Sequence, residues 1–182
     1  GLIALMDIPS EHAKATIEYF RKQGIHTTLI TGDSEMTGKA VAKQLGIDEV
    51  IANVMPEDKS RIIDEQKEKY GVTAMVGDGV NDAPALVNAD VGIAMGDGTD
   101  VAVEVSDLVL MQNNLSKLVQ SHNISSKMNR VIWQNIIFSM AVVAFLIVVS
   151  FLGLTDIAIS VIIHEGSTLV VILNGLRLLR AV

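Results

Sequence analysis

The sequence of 182 residues contains no cysteine. A disulfide framework and a thiolate metal site are therefore excluded, and the polar part of the chain is compatible with a reducing cytosol. Aromatic residues make up only 4% of the chain, yet 49% of it is hydrophobic and the mean hydropathy is +0.42. This balance is high for a wholly soluble protein and indicates that part of the chain lies in lipid.

Basic residues are scarce in the first two thirds of the sequence. Residues 1–120 carry 10 Lys and Arg against 19 Asp and Glu, whereas residues 121–182 carry 4 against 2. An acidic soluble part argues against nucleic acid as a partner. The sequence begins at Gly1 and opens directly on an apolar run, Leu2 to Met6, with no signal peptide ahead of it. We therefore expect it to be a piece of a longer chain.

Residues 1–112 alternate between strand and helix patterns. The predicted strands are 2–6, 25–30, 50–54, 72–76, 91–95 and 108–111. The predicted helices are 13–21, 35–45 and 56–70, with a brief helix before the last strand. Ser10 is the predicted start signal for the first of these helices. Strands and helices that alternate at this spacing predict an α/β fold with a parallel, doubly wound sheet.

The most informative stretch is the loop after the apolar run 72–76. It reads Gly-Asp-Gly-Val-Asn-Asp-Ala-Pro over residues 77–84, with oxygen-bearing side chains at Asp78, Asn81 and Asp82. Open α/β sheets bind ligands at the carboxyl ends of their strands, and Mg²⁺ prefers carboxylates, waters and a substrate phosphate. The alternative is an ordinary turn of Gly, Asn and Asp between a strand and a helix.

A second loop comes after the apolar run 25–30. We expect this run and the run 72–76 to be neighbouring strands, so that their two loops lie at the same edge of the sheet. Thr31 offers a hydroxyl, and the amide of Gly32 at the start of a helix offers a donor to an anion, as in a phosphate cradle. The alternative is a helix N-cap at Asp33 or Ser34. Lys59, three residues after Pro56, would add one cation, although a solvated surface lysine is the ordinary explanation.

Together these segments resemble the phosphorylation domain of P-type ATPases, in the haloacid-dehalogenase-like superfamily. The matching residues are Thr31-Gly-Asp, Lys59 in Met-Pro-Glu-Asp-Lys, and Gly-Asp-Gly-Val-Asn-Asp-Ala-Pro-Ala-Leu at 77–86. The resemblance implies that the transferred phosphoryl group is contacted or supported by Thr31, Gly32, Asp33 and Lys59. It implies that Asp78 holds Mg²⁺, with Asp82 beside the ion, and that Asn81 and Asp82 orient the site.

The family's nucleophile, the Asp of Asp-Lys-Thr-Gly, does not occur in the sequence. The nucleotide-binding insert and a Thr-Gly-Glu loop are also missing, and in the family all of these elements lie upstream. The resemblance therefore covers the second half of the phosphorylation domain, residues 1–120, together with the membrane segment at residues 121–182. It implies that ATP is bound mainly by an upstream domain. We predict that these 182 residues alone neither hydrolyse ATP nor form an acyl phosphate.

The remaining third has the pattern of a transmembrane helical hairpin over residues 121–182. A helical pattern begins near Asn114, and residues 131–152 form 22 positions without a charge. That length suffices to cross a hydrocarbon core of ~30 Å. A short turn leads to a second span at 157–176. The alternative is a helical hairpin buried inside a soluble protein.

Basic residues flank the hairpin and are missing from its turn. Lys127 and Arg130 precede it, Arg177 and Arg180 lie behind it, and the turn carries only Asp156. The positive-inside rule then places both ends in the cytoplasm. We therefore predict a multi-pass protein of the cell membrane with residues 1–120 on the cytoplasmic side.

The second span contains ionisable residues, which are costly in lipid and usually mark an ion pathway. It reads His164-Glu165-Gly-Ser167-Thr168, and His164 and Thr168 are four residues apart on one face. Imidazole with carboxylate and hydroxyl oxygens suits Zn²⁺, Co²⁺ or Fe²⁺ better than Cu⁺. The alternative is a His-Glu pair that only joins helices. Gln134 and Asn135, in the first span, are expected to hydrogen-bond between helices rather than to bind metal.

This stretch, with Asn174-Gly-Leu-Arg-Leu-Leu behind it, is similar to the last membrane helix of heavy-metal-transporting P-type ATPases. The similarity is to the branch associated with cobalt and other divalent transition metals, because the zinc and cadmium branch generally has an Asp in this helix. It implies the C-terminal part of an ATP-driven exporter of Co²⁺, Zn²⁺, Cd²⁺ or Fe²⁺ that works with upstream membrane helices and a nucleotide-binding domain. The alternatives are a membrane-tethered phosphatase of the same superfamily and a non-catalytic metal-binding membrane fragment.

Overall fold

The computed structural model describes residues 11–111 and 114–180. The chain divides into two compact units, Gly1–Val119 and Gln120–Val182. The predicted strand at 2–6 and the predicted helix start at Ser10 lie outside the described residues.

The first unit alternates helices and strands as the sequence predicts. Its helices are α1 (Glu11–Lys22), α2 (Glu35–Leu45), α3 (Lys59–Tyr70), α4 (Ala83–Asn88) and α5 (Asp100–Val105). Its strands are β1 (Thr28–Ile30), β2 (Glu49–Ile51), β3 (Ala74–Gly77), β4 (Val91–Met95) and β5 (Leu108–Leu110). Short 3₁₀ turns, Pro56–Asp58 and Val80–Asp82, lead into α3 and α4.

All strand pairs among residues 11–111 are parallel, which confirms the α/β class. Within the described residues the strands hydrogen-bond in two groups, β1 with β2 and β3 with β4 and β5. The predicted strands 25–30 and 72–76, which we expected to be neighbours, are not hydrogen-bonded to each other within these residues. Each of these strands instead pairs with the strand that comes next in the chain.

The predicted strands 25–30, 50–54, 72–76 and 108–111 have other bounds in the structure, and for 72–76 and 50–54 the contacts around the strand give the reason. Val72 is 87% exposed and precedes β3, because the Thr73 amide donates to the Asp90 carboxylate at 2.8 Å before the strand begins. The predicted strand 50–54 stops at Ile51, because Asn53 adopts a left-handed backbone with φ of 56°. The chain then turns so that the Val54 amide donates to the Thr31 carbonyl at 3.1 Å.

The core beneath the site lies between α4, β4 and α5. Leu86, Ala94 and Ala102 are almost fully buried there. Partly buried side chains that pack against them are Met75, Val103 and Val105. Because β3 and β4 are held by this core, the loops at their carboxyl ends have a fixed base.

The second unit is a pair of long apolar helices, which confirms the predicted hairpin. These are α6 (Ser116–Phe151) and α7 (Ile157–Leu176). Asn114 lies just ahead of α6, and its side-chain Oδ1 accepts a hydrogen bond from the Ser116 amide at 2.9 Å. Both helices are long and apolar enough to cross a membrane, and neither has a buried residue. Exposed apolar faces on both helices favour lipid over the interior of a soluble protein.

Candidate functional site

The centre of the site in the first unit is Asp82, a residue that lies in the turn after β3 and is 7% exposed as a whole. Its Oδ1 is 2.5 Å from Nζ of Lys59. Its Oδ2 accepts hydrogen bonds from the backbone amides of Asp78 at 3.3 Å and Gly79 at 3.4 Å. The carboxylate of Asp82 therefore fixes the loop that carries Asp78. The same carboxylate holds the ammonium group of Lys59 beside this loop.

Lys59 reaches this position because it is the first residue of α3. The 3₁₀ turn with Pro56 at its start directs the chain into the helix. The lysine side chain is only 18% exposed and that of Asp82 only 11%. The alternative of a solvated surface lysine does not fit this geometry. The positive charge of Lys59 is thus placed at the carboxyl end of β3. The helix that carries it, α3, begins 18 residues before that end in the chain.

Two glycines allow the loops to approach so closely. A Cβ at Gly77 would lie 2.8 Å from Cβ of Asp82, and one at Gly98 would lie 2.8 Å from the carbonyl oxygen of Asp78. At Gly79, in contrast, the nearest atom would be 3.8 Å away. Gly77 and Gly98 are therefore required by space, and Gly79 is not.

The contribution of Gly98 was not foreseen from the sequence. The Thr99 amide donates to the Asp78 carbonyl at 3.1 Å, and the Gly98 amide donates to the Met95 carbonyl at 2.8 Å. The loop after β4 thus supports the backbone of Asp78 from the side. The available signal was a second Gly-Asp-Gly at the carboxyl end of the strand that pairs with β3.

The loop after β1 is built by its own hydrogen bonds. The Thr31 Oγ1 accepts from the Asp33 amide at 3.1 Å, and the Asp33 carbonyl accepts from the Asn53 amide at 2.8 Å. Ser34 is the N-cap of α2 and accepts from the Thr37 amide at 3.3 Å. Of the two alternatives for the cap, Ser34 is therefore correct. We expected the amide of Gly32 to lie at the start of the helix. Gly32 instead lies two residues before this cap.

Asn53 is a further residue of the site region that sequence reasoning missed. Its positive φ brings residues 53 and 54 back against Thr31 and Asp33. Asparagine tolerates the left-handed region better than other side chains except glycine. The loop that precedes Lys59 is thereby joined to the loop that carries Thr31.

Oxygen donors remain available beside this framework. Asp78 and Asn81 are exposed, whereas both oxygens of Asp82 already accept hydrogen bonds. Within residues 11–111 and 114–180, no group of three or more His, Asp or Glu could hold a metal ion by itself. One exposed carboxylate at a strand end fits Mg²⁺, which usually keeps several waters and binds through one or two carboxylates plus a substrate phosphate.

In the second unit, His164 and Glu165 lie on α7 with side chains 57% and 72% exposed. The His164 Nδ1 is 3.6 Å from the Glu165 Oε1. The hydroxyls of Ser167 and Thr168 both donate to the His164 carbonyl, at 2.6 and 3.3 Å. Their oxygen lone pairs therefore stay open to a cation. A Cβ at Gly166 would meet nothing within 4 Å, so this stretch can accept a closely packed helix.

Amide side chains join α6 to α7 near the other end of the hairpin. The Asn174 Nδ2 donates to the Asn135 Oδ1 at 2.8 Å and to the Gln134 Oε1 at 3.4 Å. The Arg177 guanidinium donates to the Asn174 Oδ1 at 2.9 Å. The prediction that Gln134 and Asn135 bond between helices is confirmed. We call Gln134, Asn135, Asn174 and Arg177 the amide cluster.

Comparison with known proteins gives the family. The haloacid dehalogenase-like hydrolases match residues 1–90. The chain is 53% identical over 180 residues to a zinc-transporting ATPase of Bacillus subtilis, and 41% identical over 180 residues to a copper-exporting P-type ATPase of Staphylococcus haemolyticus. A crystal structure of a zinc-transporting PIB-type ATPase in the E2.Pi state superposes on 95% of the chain with a TM-score of 0.90 and 37% identity. Nearly the whole of this chain corresponds to one segment of these metal-transporting P-type ATPases.

The match covers nearly the whole of this chain but a minor part of each relative. It extends over 99% of the chain in both curated relatives, of which it spans 28% and 23%. It spans 28% of the chain in the crystal structure. Because the two P-type ATPases are named for different metals, similarity alone does not name the ion for this one.

The match to haloacid dehalogenase-like hydrolases contains every residue of the first unit that the sequence singled out for the site, from Thr31 to Asp82. The supporting Gly98 and the whole hairpin lie beyond it. Both parts are included in the superposition on the zinc-transporting relative. The phosphatase-like sheet and the apolar hairpin therefore occur together in this family.

Proposed function

We propose that this chain is part of an ATP-driven exporter of a divalent transition-metal cation. The observation that carries the proposal is the ion pair between Lys59 and Asp82 at the end of β3, in the same chain as an apolar helix that bears His164 and Glu165. A phosphate-handling site and a cation-ligating helix are the two halves of such a pump. Transport requires one to drive the other.

The cytosolic residues have the roles of a phosphoryl-transfer site. Catalysis of this reaction consists mainly of positioning and electrostatic stabilisation. Thr31 and Gly32 would contact the phosphoryl group, with Asp33 supporting their loop and Lys59 facing its charge. Asp78 would hold Mg²⁺, which when bound neutralises phosphate charge. Because both oxygens of Asp82 are engaged, we assign Asp82, with Asn81, to orienting the site.

The acceptor of the phosphoryl group would be an aspartate upstream of these residues, and ATP would bind mainly to another domain. On this proposal the role of residues 1–120 is to complete that site rather than to react alone. The protein would lie in the cell membrane as a multi-pass protein with this part in the cytoplasm. Further membrane helices of the same protein would pack beside the hairpin.

The cation would be bound by His164 and Glu165 with the hydroxyl oxygens of Ser167 and Thr168. Imidazole and carboxylate donors favour Co²⁺, Zn²⁺, Cd²⁺ or Fe²⁺ over Cu⁺, which prefers sulfur. Histidine in place of the aspartate of the zinc and cadmium branch favours cobalt among these. The donors from this chain leave coordination positions for groups on other helices.

A metal-dependent ATPase assay on the full-length protein tests the proposal. We expect stimulation by Co²⁺ or Zn²⁺, and we expect Asp78→Asn to lower the ATPase rate by about 100-fold or more. His164→Ala should abolish stimulation by metal yet leave phosphorylation by inorganic phosphate intact. His12→Ala, on the exposed face of α1, is the matched histidine control. Wild-type protein that no divalent metal stimulates would contradict the proposal, as would unchanged stimulation in His164→Ala.

α6 offers a mechanical route between the two activities, because it continues without interruption from Ser116 to Phe151. Two glycines inserted near Ser125 should make the helix flexible there and uncouple ATP hydrolysis from transport. Transport per ATP hydrolysed, measured in sealed vesicles, is the readout. An insertion of two alanines, which keeps the helix but rotates it, separates flexibility from register. Unchanged coupling with the glycine insertion would count against this route.

A further inference from the structure

Polar side chains on α7 extend beyond the cation-ligating residues toward the turn of the hairpin. Asp156, Ser160 and His164 succeed one another at intervals of four residues. Residues four apart lie on the same helix face, one turn above the other. In a lipid-exposed helix such residues are costly unless they face a partner or a water-filled cavity. The spacing therefore defines one polar face of α7 from its start to His164.

The same residues line a groove between α6 and α7 with a volume of about 790 Å³. The polar lining residues are Ser150, Thr155, Asp156, Ser160, His164 and Glu165. The hydroxyls of Thr155 and Ser160 are 3.4 Å apart across its outer part. Oxygen-bearing side chains thus succeed each other from the ligand pair to the turn.

The dimensions fit one half of a membrane. Eight residues separate Asp156 from His164, which corresponds to a rise of about 12 Å along the helix. That is close to half of a hydrocarbon core of ~30 Å. With the orientation proposed above, this half leads away from the cytoplasm.

We propose that this groove is the exit path of the transported cation and that Asp156 is the group that receives the cation at the outer mouth. The inference rests on the proposed function, because it needs a cation released from His164 and Glu165. A divalent cation would pass from these two residues to the hydroxyl oxygens of Ser160 and Thr155, and then to the Asp156 carboxylate.

The donors along the groove weaken in the direction of release. Neutral hydroxyls bind transition metals less tightly than imidazole does. The Asp156 Oδ1 already accepts a hydrogen bond from the Ile159 amide at 3.0 Å, and the positive end of the α7 dipole lies beside it. Both effects reduce the affinity of Asp156 for a cation. The carboxylate can therefore attract the ion without retaining it.

The simpler explanation for Asp156 is that it only caps α7. Asp156→Asn separates the two roles, because asparagine caps helices as well as aspartate does but carries no charge. Ser160→Phe obstructs the groove from within. Ile162→Phe, at a position that is 70% exposed and outside the groove, is the matched control for bulk.

The experiment uses the full-length protein in proteoliposomes, with Co²⁺ and Zn²⁺ as the ions. Asp156→Asn and Ser160→Phe should lower the rates of metal transport and metal-dependent dephosphorylation by about five-fold or more. Equilibrium binding of the metal to the detergent-solubilised protein should stay within about two-fold of wild type, because His164 and Glu165 are intact. Ile162→Phe should transport like wild type.

Each other outcome has one meaning. Wild-type transport in Asp156→Asn, or equal effects of the two phenylalanine variants, would overturn the exit path while the pump proposal stands. Loss of equilibrium metal binding in Asp156→Asn would make Asp156 a ligand of the main site and would also overturn the exit assignment. A wild-type protein that neither ion stimulates would instead reject the proposed function on which the inference rests.

Discussion

Removing either partner of the ion pair between Lys59 and Asp82 should destabilise the first unit. Removing both partners together should cost less than the sum of the two single losses. The pair has an Nζ to Oδ1 distance of 2.5 Å, and its side chains are 18% and 11% exposed. Breaking a buried pair costs about 3–5 kcal/mol, because one charge is left without a partner. Partial exposure lowers this cost, so we expect about 2–3 kcal/mol for Lys59→Met and for Asp82→Asn.

In the double variant neither charge remains, so most of that penalty disappears. We therefore expect a coupling free energy of about 2 kcal/mol in the double-mutant cycle. Tryptophan fluorescence is unsuitable for this test, because the only tryptophan, Trp133, lies in α6. Pulse proteolysis across a urea series, with the protein in detergent, reports unfolding of the first unit directly. Effects that add to within about 0.5 kcal/mol would refute the reasoning, since independent sites behave in that way.

Three further predictions concern single positions. Gly77→Ala should lower the free energy of unfolding by about 1–3 kcal/mol, because the new Cβ would lie 2.8 Å from the Cβ of Asp82. Gly79→Ala, the control, should change the free energy of unfolding by under about 0.5 kcal/mol. Equal losses in the two variants would contradict the packing argument. The hydrogen bond from Lys69 holds the pKa of Glu49 below its ordinary value of 4.5. At pH 7 Glu49→Gln should therefore be less stable than wild type by about 1 kcal/mol, and this difference should vanish as the pH falls through the lowered pKa. Urea titrations at several pH values that show a constant difference would contradict this prediction. Asn174→Leu removes the donor that joins α6 to α7 and should cost about 1 kcal/mol in SDS unfolding monitored by circular dichroism, and an unchanged midpoint would show that the amide cluster does not hold the helices together.

Element identity could be predicted from the sequence where the hydrophobic pattern was continuous and the ends carried their own signals. α2 and β4 have the predicted bounds, and so does α7, which begins behind the Asp156 cap. Strand ends were predicted less well, because they depend on partners far along the chain. β2 ends where the backbone of Asn53 turns toward the loop of Thr31 and Asp33, a contact between residues 20 or more positions apart.

The pairing of the strands could not be predicted for the same reason. Periodicity identifies a strand as buried but does not say which strand lies beside it. We therefore expected the loops after β1 and β3 to come from neighbouring strands. In the structure they are connected through residues 53–59 instead, by the backbone bonds of Asn53 and Val54 and by the side chain of Lys59.

The roles of the two aspartates in the loop after β3 show most clearly what a sequence pattern leaves open. Asp78 and Asp82 both come after a strand and both are plausible ligands of a cation, yet Asp78 is exposed and Asp82 is buried. Gly77 decides between them, because only a residue without a Cβ lets the Asp82 side chain fold back under the strand end to reach the amides of Asp78 and Gly79. Once Asp82 is held there, its other oxygen faces Lys59, and the charge of Asp82 is matched within the protein. Asp78 is then the carboxylate left to a cation, and its position is set by the partner that the sequence could not distinguish from it.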